Sequence, residues 1–333
     1  MAKYSTCLLI FLLFILSCTS TPVKENAFIE ILDERALEIL DPEAEIIILA
    51  EGHDWTEGPL WWEAEQSLLY TDIPQNAIFQ VSMDGKKSLY LQPAGYTGEE
   101  ERGGEVGANG LLISPEGRLV LCQHGDRRMA YMDSPMDDPK SEFVTLADRY
   151  EDKRLNSPND AVYDAMGRLY FTDPPYGLEK NVDDPAKELD FQGLYVLRND
   201  GNLQLLDRLT RPNGLAFSPD QSMLYVANSD PDLAVWYAYN VDTKGELTDR
   251  NLFYDATDKV GQEGYKGLPD GLKVHTSGIL FATGPGGVWV FSPEGDVLAR
   301  IRTGEATSNC AFSTDEKTLF MTADSYVLKL GLK

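Results

Sequence analysis

The sequence predicts an all-β fold, a six-bladed β-propeller of four-stranded blades around a central metal-binding channel, on three observations. From Ile46 onward β-branched and aromatic residues alternate with turn signals, and no long amphipathic helix interrupts them. Six stretches share one form, an apolar strand, a polar turn and a second apolar strand: residues 59–72, 111–123, 161–173, 215–228, 272–284 and 311–323. Their second strands end at Thr71, Cys122, Thr172, Ala227, Thr283 and Thr322, in steps of 51, 50, 55, 56 and 39 residues. Weaker hairpins lie between them, with turns at residues 83–86, 199–202 and 293–296. Two hairpins in about 50 residues make one four-stranded blade. A β-sandwich would not need six copies of one hairpin.

In chain order, residues 1–17 read as a lipoprotein signal peptide. Lys3 gives a positive start, and residues 7–16 (CLLIFLLFIL) form an apolar core too short to span a bilayer. Ser17-Cys18 resembles the bacterial lipobox, which makes Cys18 the expected lipidation site. The alternative is an ordinary cleaved signal. Either way the expected location is outside the cytoplasm, periplasmic or anchored at the outer membrane. Residues 18–45 are polar, with one weak helical patch, and read as a tether plus a short helix. Residues 46–333 form the propeller, and the spare strands at 45–50 and 326–330 predict that the two ends complete one blade together.

The 333 residues carry 29 Lys plus Arg against 54 Asp plus Glu, a net charge of −25. That balance excludes a phosphate-backbone reader, so no nucleic-acid partner is expected, and membrane contact is expected only through the lipid anchor. Four Cys exclude a disulfide scaffold. Cys122 and Cys310 sit in apolar strand patterns and read as buried free thiols.

Thirteen or fourteen residues before each strand end stands an Asn or a carboxylate: Glu57, Asn109, Asn159, Asn213, Asp270 and Asn309. Each lies just before the innermost strand of its blade, so six oxygen-bearing side chains are expected to converge on the axis. Converging carboxylates repel in a buried channel, and a bound cation removes that penalty. An all-oxygen donor set suits calcium, magnesium or manganese. Taken one at a time, Asn-Gly and Asp-Gly are common turn dipeptides; six in register are not explained that way.

The same residues carry a family resemblance. Thr56-Glu57-Gly58-Pro59, Asn156-Ser157-Pro158-Asn159-Asp160, the run from Arg211 to Asp220, and Leu268-Pro269-Asp270-Gly271 resemble the gluconolactonase family of six-bladed propellers, related to regucalcin, diisopropyl fluorophosphatase and paraoxonase. The runs 171–178 and 122–125 resemble its bacterial branch. The resemblance implies metal ligands Glu57, Asn213 and Asp270, with Asn159 as a fourth ligand or a substrate contact. It implies one divalent cation, calcium first, with magnesium, manganese or zinc as alternatives. Regucalcin-like members have an Arg two residues before the Asn matching Asn159; here that position is Ser157, so its contacts do not transfer.

The function expected is hydrolysis of a small-molecule sugar lactone to its aldonic acid. The metal would act as Lewis acid, and Asp270 is the candidate catalytic base. Expected substrate contacts are Asn109, His124, Asn159, Asp173 and Asn309. His53 and His275 read as ordinary loop and surface residues, and Trp55, Trp61 and Trp62 as core packing. Two alternatives stand beside this reading: phosphotriester or other ester hydrolysis on the same metal, and a non-catalytic metal-binding propeller. The oligomeric state is not legible.

Overall fold

The computed structural model describes residues 23–333, so the expected signal peptide and the expected lipidation site Cys18 lie outside the described residues. Six antiparallel sheets follow one another around an axis. Blade one spans Thr56–Trp62 to Lys87–Leu91, blade two Ala108–Ile113 to Phe143–Ala147, and blade three Ala161–Tyr163 to Leu203–Leu209. Blade four spans Pro212–Phe217 to Leu247–Asp255, blade five Leu272–Val274 to Val297–Arg302, and blade six Thr307–Phe312 to Tyr326–Gly331.

Position within a blade explains composition. The second strand, with neighbours on both sides and sheets above and below, is buried throughout and mostly apolar, as in Leu119–Gln123 and Leu280–Gly284. The outermost strand faces water and reads polar, as in Leu247–Asp255. Each pair of adjacent blades encloses one apolar cluster. The aromatic one lies between blades four and five, where Trp236 packs on Trp289 and Phe291 at ring-centroid distances of 5.8 and 5.4 Å.

Blade six is closed by the N-terminal side. Ile47–Ala50 pairs antiparallel with Tyr326–Gly331, Ile48 opposite Leu328, so the spare strands meet as the sequence predicts. The expected tether is different. Phe28–Ile31 is an edge strand, a fifth strand on blade five, with Phe28 opposite Arg302. A short 3-10 turn follows at Glu34–Glu38, capped by Asp33, which accepts the Arg35 N–H at 2.9 Å. Ala36, Ile39 and Leu40 enter the cluster between blades five and six. Apolar residues at 28, 29, 31 and 32 suit a helix or a strand equally, and the open edge of blade five selects the strand. Among the described residues, no helix is long and apolar enough to cross a membrane.

Candidate metal centre and lactone pocket

The six repeat-head residues do converge. Glu57, Asn109, Asn159, Asn213 and Asn309 are all buried, with relative exposures of 2 to 3%. Glu57, Asn109, Asn159, Asn213 and Asp270 line a cavity of about 230 Å³ at one end of the channel. Four of the six innermost strands have a register irregularity at this end, at Glu57/Leu60, Ala108/Leu111, Pro212/Leu215 and Thr307/Asn309. A bulge re-aims a side chain at the cost of one ladder pair.

The glycine after four of these residues serves packing between blades. A Cβ on Gly58 would stand 2.1 Å from the Asn109 carbonyl oxygen, and on Gly110 2.8 Å from that of Asn159. On Gly214 it would stand 2.4 Å from the Asp270 carbonyl oxygen, and on Gly271 2.0 Å from Asn309 Cγ. Each glycine abuts the repeat-head residue of the next blade, so the ring can be this narrow only without side chains there. Hydrogen bonds join the same neighbours: the Gly110 N–H donates to Asn159 O at 2.8 Å, and Ser308 Oγ to Thr56 O at 2.7 Å.

The electrostatics are those of an anion-rich hole. Burial, reinforced by the charge of Asp160, pushes the Glu57 carboxyl up to about 8. Burial raises Asp270 well above its usual range, and Glu57, Glu105 and Asp160 push it further. Glu57 Oε2 accepts from the Gly58 N–H at 2.8 Å and from Asn309 Nδ2 at 3.2 Å. Asn213 Nδ2 donates to Ser229 Oγ at 2.9 Å, and Ser229 in turn donates to the carbonyl of Pro269, tying Asp270 to blade four. Asp270 Oδ1 and Asn109 Oδ1 are buried with no hydrogen-bond partner. An orphaned Asp270 oxygen facing Glu57, a carboxyl that burial keeps from ionising, fits a hard cation, and the orphaned Asn109 oxygen is left for a ligand's hydroxyl. Among the described residues no group of three His, Cys, Asp or Glu side chains stands close enough to hold a metal. The donor set here is two carboxylates completed by amide oxygens.

Three expected substrate contacts are placed elsewhere. Asp173 is fully buried, and its two carboxylate oxygens accept the N–H groups of Asn156 (2.8 Å) and Ser157 (2.7 Å). It holds the loop that presents Asn159 and does not face the pocket. Asn309 lies behind Glu57, bridging it to Asp160 Oδ2, which it reaches at 3.4 Å. His124 is also fully buried, and its Nδ1 lies 2.8 Å from Glu105 Oε2 in a poorly aligned contact. His53, expected to be an ordinary loop residue, is buried between Asp72 Oδ2 and Tyr70 Oη, each 2.9 Å away.

The pocket also takes Trp55, Glu105, Tyr176, Arg211, Leu268 and Thr307. Trp55, read as core packing, is one of the lining residues. Trp55, Arg211, Leu268 and Thr307 each stand two residues before a repeat-head residue, the first three just ahead of their innermost strands and Thr307 at the start of its own. That offset was available in the sequence as a search rule.

Comparison with known proteins agrees with this architecture. Residues 55–325 match the family described as SMP-30/Gluconolactonase/LRE-like region. The chain is 37% identical over 300 residues to the gluconolactonase of Zymomonas mobilis, covering 89% of this chain and 83% of that one. It superposes on the gluconolactonase XC5397 of Xanthomonas campestris with a TM-score of 0.79 at 30% identity, covering 94% and 98% of the two chains. The calcium-binding regucalcin of Agrobacterium tumefaciens shares the fold, with a TM-score of 0.66 at 17% identity over 86% and 92%.

Proposed function

The chain belongs to the SMP-30/gluconolactonase/LRE-like family, and from that premise we propose that it hydrolyses a sugar lactone, turning an aldonolactone into its aldonic acid. The observation that carries the reading is the pocket itself. Three carboxylates (Glu57, Glu105 and Asp270) and three amides meet at the channel mouth, two of their oxygens are unpartnered, and Trp55, Tyr176 and Arg211 line the same cavity. This many hydrogen-bonding side chains suit a ring bearing hydroxyls better than an apolar phosphotriester.

Glu57, Asn213 and Asp270, with Asn159 as a fourth, would hold one divalent cation. Calcium is the first choice because every donor is a hard oxygen, and magnesium, manganese and zinc are alternatives. When bound, the ion supplies Lewis acidity toward the ring carbonyl and its developing negative charge. The residues do the rest. Asn109 and Asn159 hold the substrate over the channel, and Trp55 covers one side of it. Water adds to the carbonyl carbon, the carbon–oxygen bond of the ring breaks, and the ring oxygen leaves with a proton as a hydroxyl. Asp270 is the acceptor for the proton that the attacking water gives up, and it returns that proton to the leaving ring oxygen.

The test is proton release from D-glucono-1,5-lactone in a pH-stat, with spontaneous opening subtracted, before and after EDTA and with each ion restored. Acceleration that EDTA removes and one ion restores, and that Glu57→Gln lacks, is the expected result. A folded, ion-loaded protein that gives no acceleration overturns the substrate assignment. Near-normal turnover by metal-loaded Asp270→Asn overturns the role of Asp270 as base.

A further inference from the structure

We propose that Glu105 is the acceptor for substrate hydroxyls in this pocket and that His124 is its positioning residue, an assignment that rests on the lactonase reading above. Glu105 lines the cavity beside Asn109 and Asn159 but belongs to no blade. It rides on residues 95–107, a glycine-rich segment that connects blades one and two across the channel mouth.

That segment is pinned along its length. Asn76 Oδ1 accepts the N–H groups of Gly95 (2.7 Å) and Tyr96 (3.1 Å). Asp126 takes the Thr97 N–H at 3.1 Å and its hydroxyl at 2.7 Å. The Arg102 guanidinium reaches the carbonyls of Gly125 and Gly177 on two different blades. Gly104, at φ +79°, lies so close to the next loop that a Cβ would stand 2.8 Å from Gly177 O, and a Cβ on Gly107 would stand 2.5 Å from Ile73 O. A connection held at this many points is a fixed wall of the pocket.

The Glu105 N–H donates to Tyr176 O at 3.2 Å, and its Oε2 lies 2.8 Å from His124 Nδ1. His124 is wholly buried and its Nδ1 makes no aligned hydrogen bond, so the ring backs the Glu105 side chain by contact. The Glu105 side chain is 39% exposed and has Oε1 left for a ligand. A carboxylate with a free oxygen at the rim of a pocket beside a metal centre accepts hydroxyl hydrogens of a polyol.

Steady-state kinetics on D-glucono-1,5-lactone test this. Glu105→Gln is expected to raise KM about tenfold with kcat within about threefold of wild type, and to raise the inhibition constant of D-gluconate in parallel. His124→Leu should move KM the same way, His124→Gln should restore part of it by returning a polar group behind the carboxylate, and the double variant should be no worse than Glu105→Gln alone. A fall in kcat at unchanged KM would place Glu105 in the chemistry and overturn the assignment, as would no change in either constant. Additive losses would overturn the role of His124. A wild-type chain that accelerates no lactone overturns the lactonase reading and this assignment with it, and is recognised before any variant is made.

Discussion

Asp173 Oδ1 accepts the backbone N–H of Ser157 at 2.7 Å, while its other oxygen takes that of Asn156. Two residues beyond Ser157 stands Asn159, so a carboxylate outside the pocket fixes a residue inside it. Asp173→Ala leaves two buried donors without a partner, which costs about 3 kcal/mol. The expected outcome is a lower denaturation midpoint together with a lower kcat/KM. An unchanged midpoint with a raised KM alone would return Asp173 to the substrate contacts.

Gly58→Ala should be more damaging than its size suggests. The position has φ +52°, and the added Cβ would meet the Asn109 carbonyl oxygen at 2.1 Å, backbone that belongs to the next blade. A loss of about 2–4 kcal/mol is expected. Gly201→Ala is the control, since it has φ +83° and open space around it, with about 1 kcal/mol lost to the backbone term alone. Equal midpoints for the two variants would disprove the packing account.

The buried carboxyls give the ion-free protein a characteristic pH dependence. Folding raises Glu57 from its ordinary 4.5 to about 8, mainly through burial. Burial also carries Asp173 from 3.8 to about 7 against the pull of its two N–H donors. Between those limits the folded state holds protons that the unfolded chain has released, so stability is complete below about pH 4 and is lost as pH rises through 7 and 8. EDTA-treated protein should therefore melt progressively lower from pH 5 to pH 8. Glu57→Gln should flatten the decline and raise ion-free stability at pH 7 by about 3 kcal/mol. Adding calcium to wild type should raise the melting temperature more at pH 8 than at pH 5. A melting temperature that rises over this range would contradict the assignment.

Removing residues 23–50 uncovers the backbone edge of Tyr326–Gly331, which Ile47–Ala50 otherwise occupies. It also strips the fifth strand from blade five. An uncovered apolar edge pairs with other chains. The truncated protein should be less soluble and melt lower. Monodisperse protein at wild-type stability would show that the closure is dispensable.

The blades were legible because a hairpin repeated six times leaves a periodic mark, and the ring of Glu57, Asn109, Asn159, Asn213, Asp270 and Asn309 inherits that period. What did not repeat was harder to read. Glu105 lies on a connection with no counterpart in the other blades. Asp173 and Asn159 are both polar residues at strand ends, and only the folded loop decides that one faces a ligand and the other two peptide N–H groups. The glycine in Asn109-Gly110 or Asp270-Gly271 looks like turn chemistry, whereas the constraint is the neighbouring blade. Phe28–Ile31 found its partner strand at Val297–Arg302, a pairing that no local pattern announces.

Asn309 supports Glu57 across 252 residues of chain, and the two belong to the last blade and the first. A ribosome making this protein delivers Glu57 long before its support. Until blade six has emerged and taken up the strand at Ile47–Ala50, every other blade can be in place while the ring lacks one side. Activity therefore waits on blade six: a chain stopped short of it carries five of the six ring residues and has no channel for them to share.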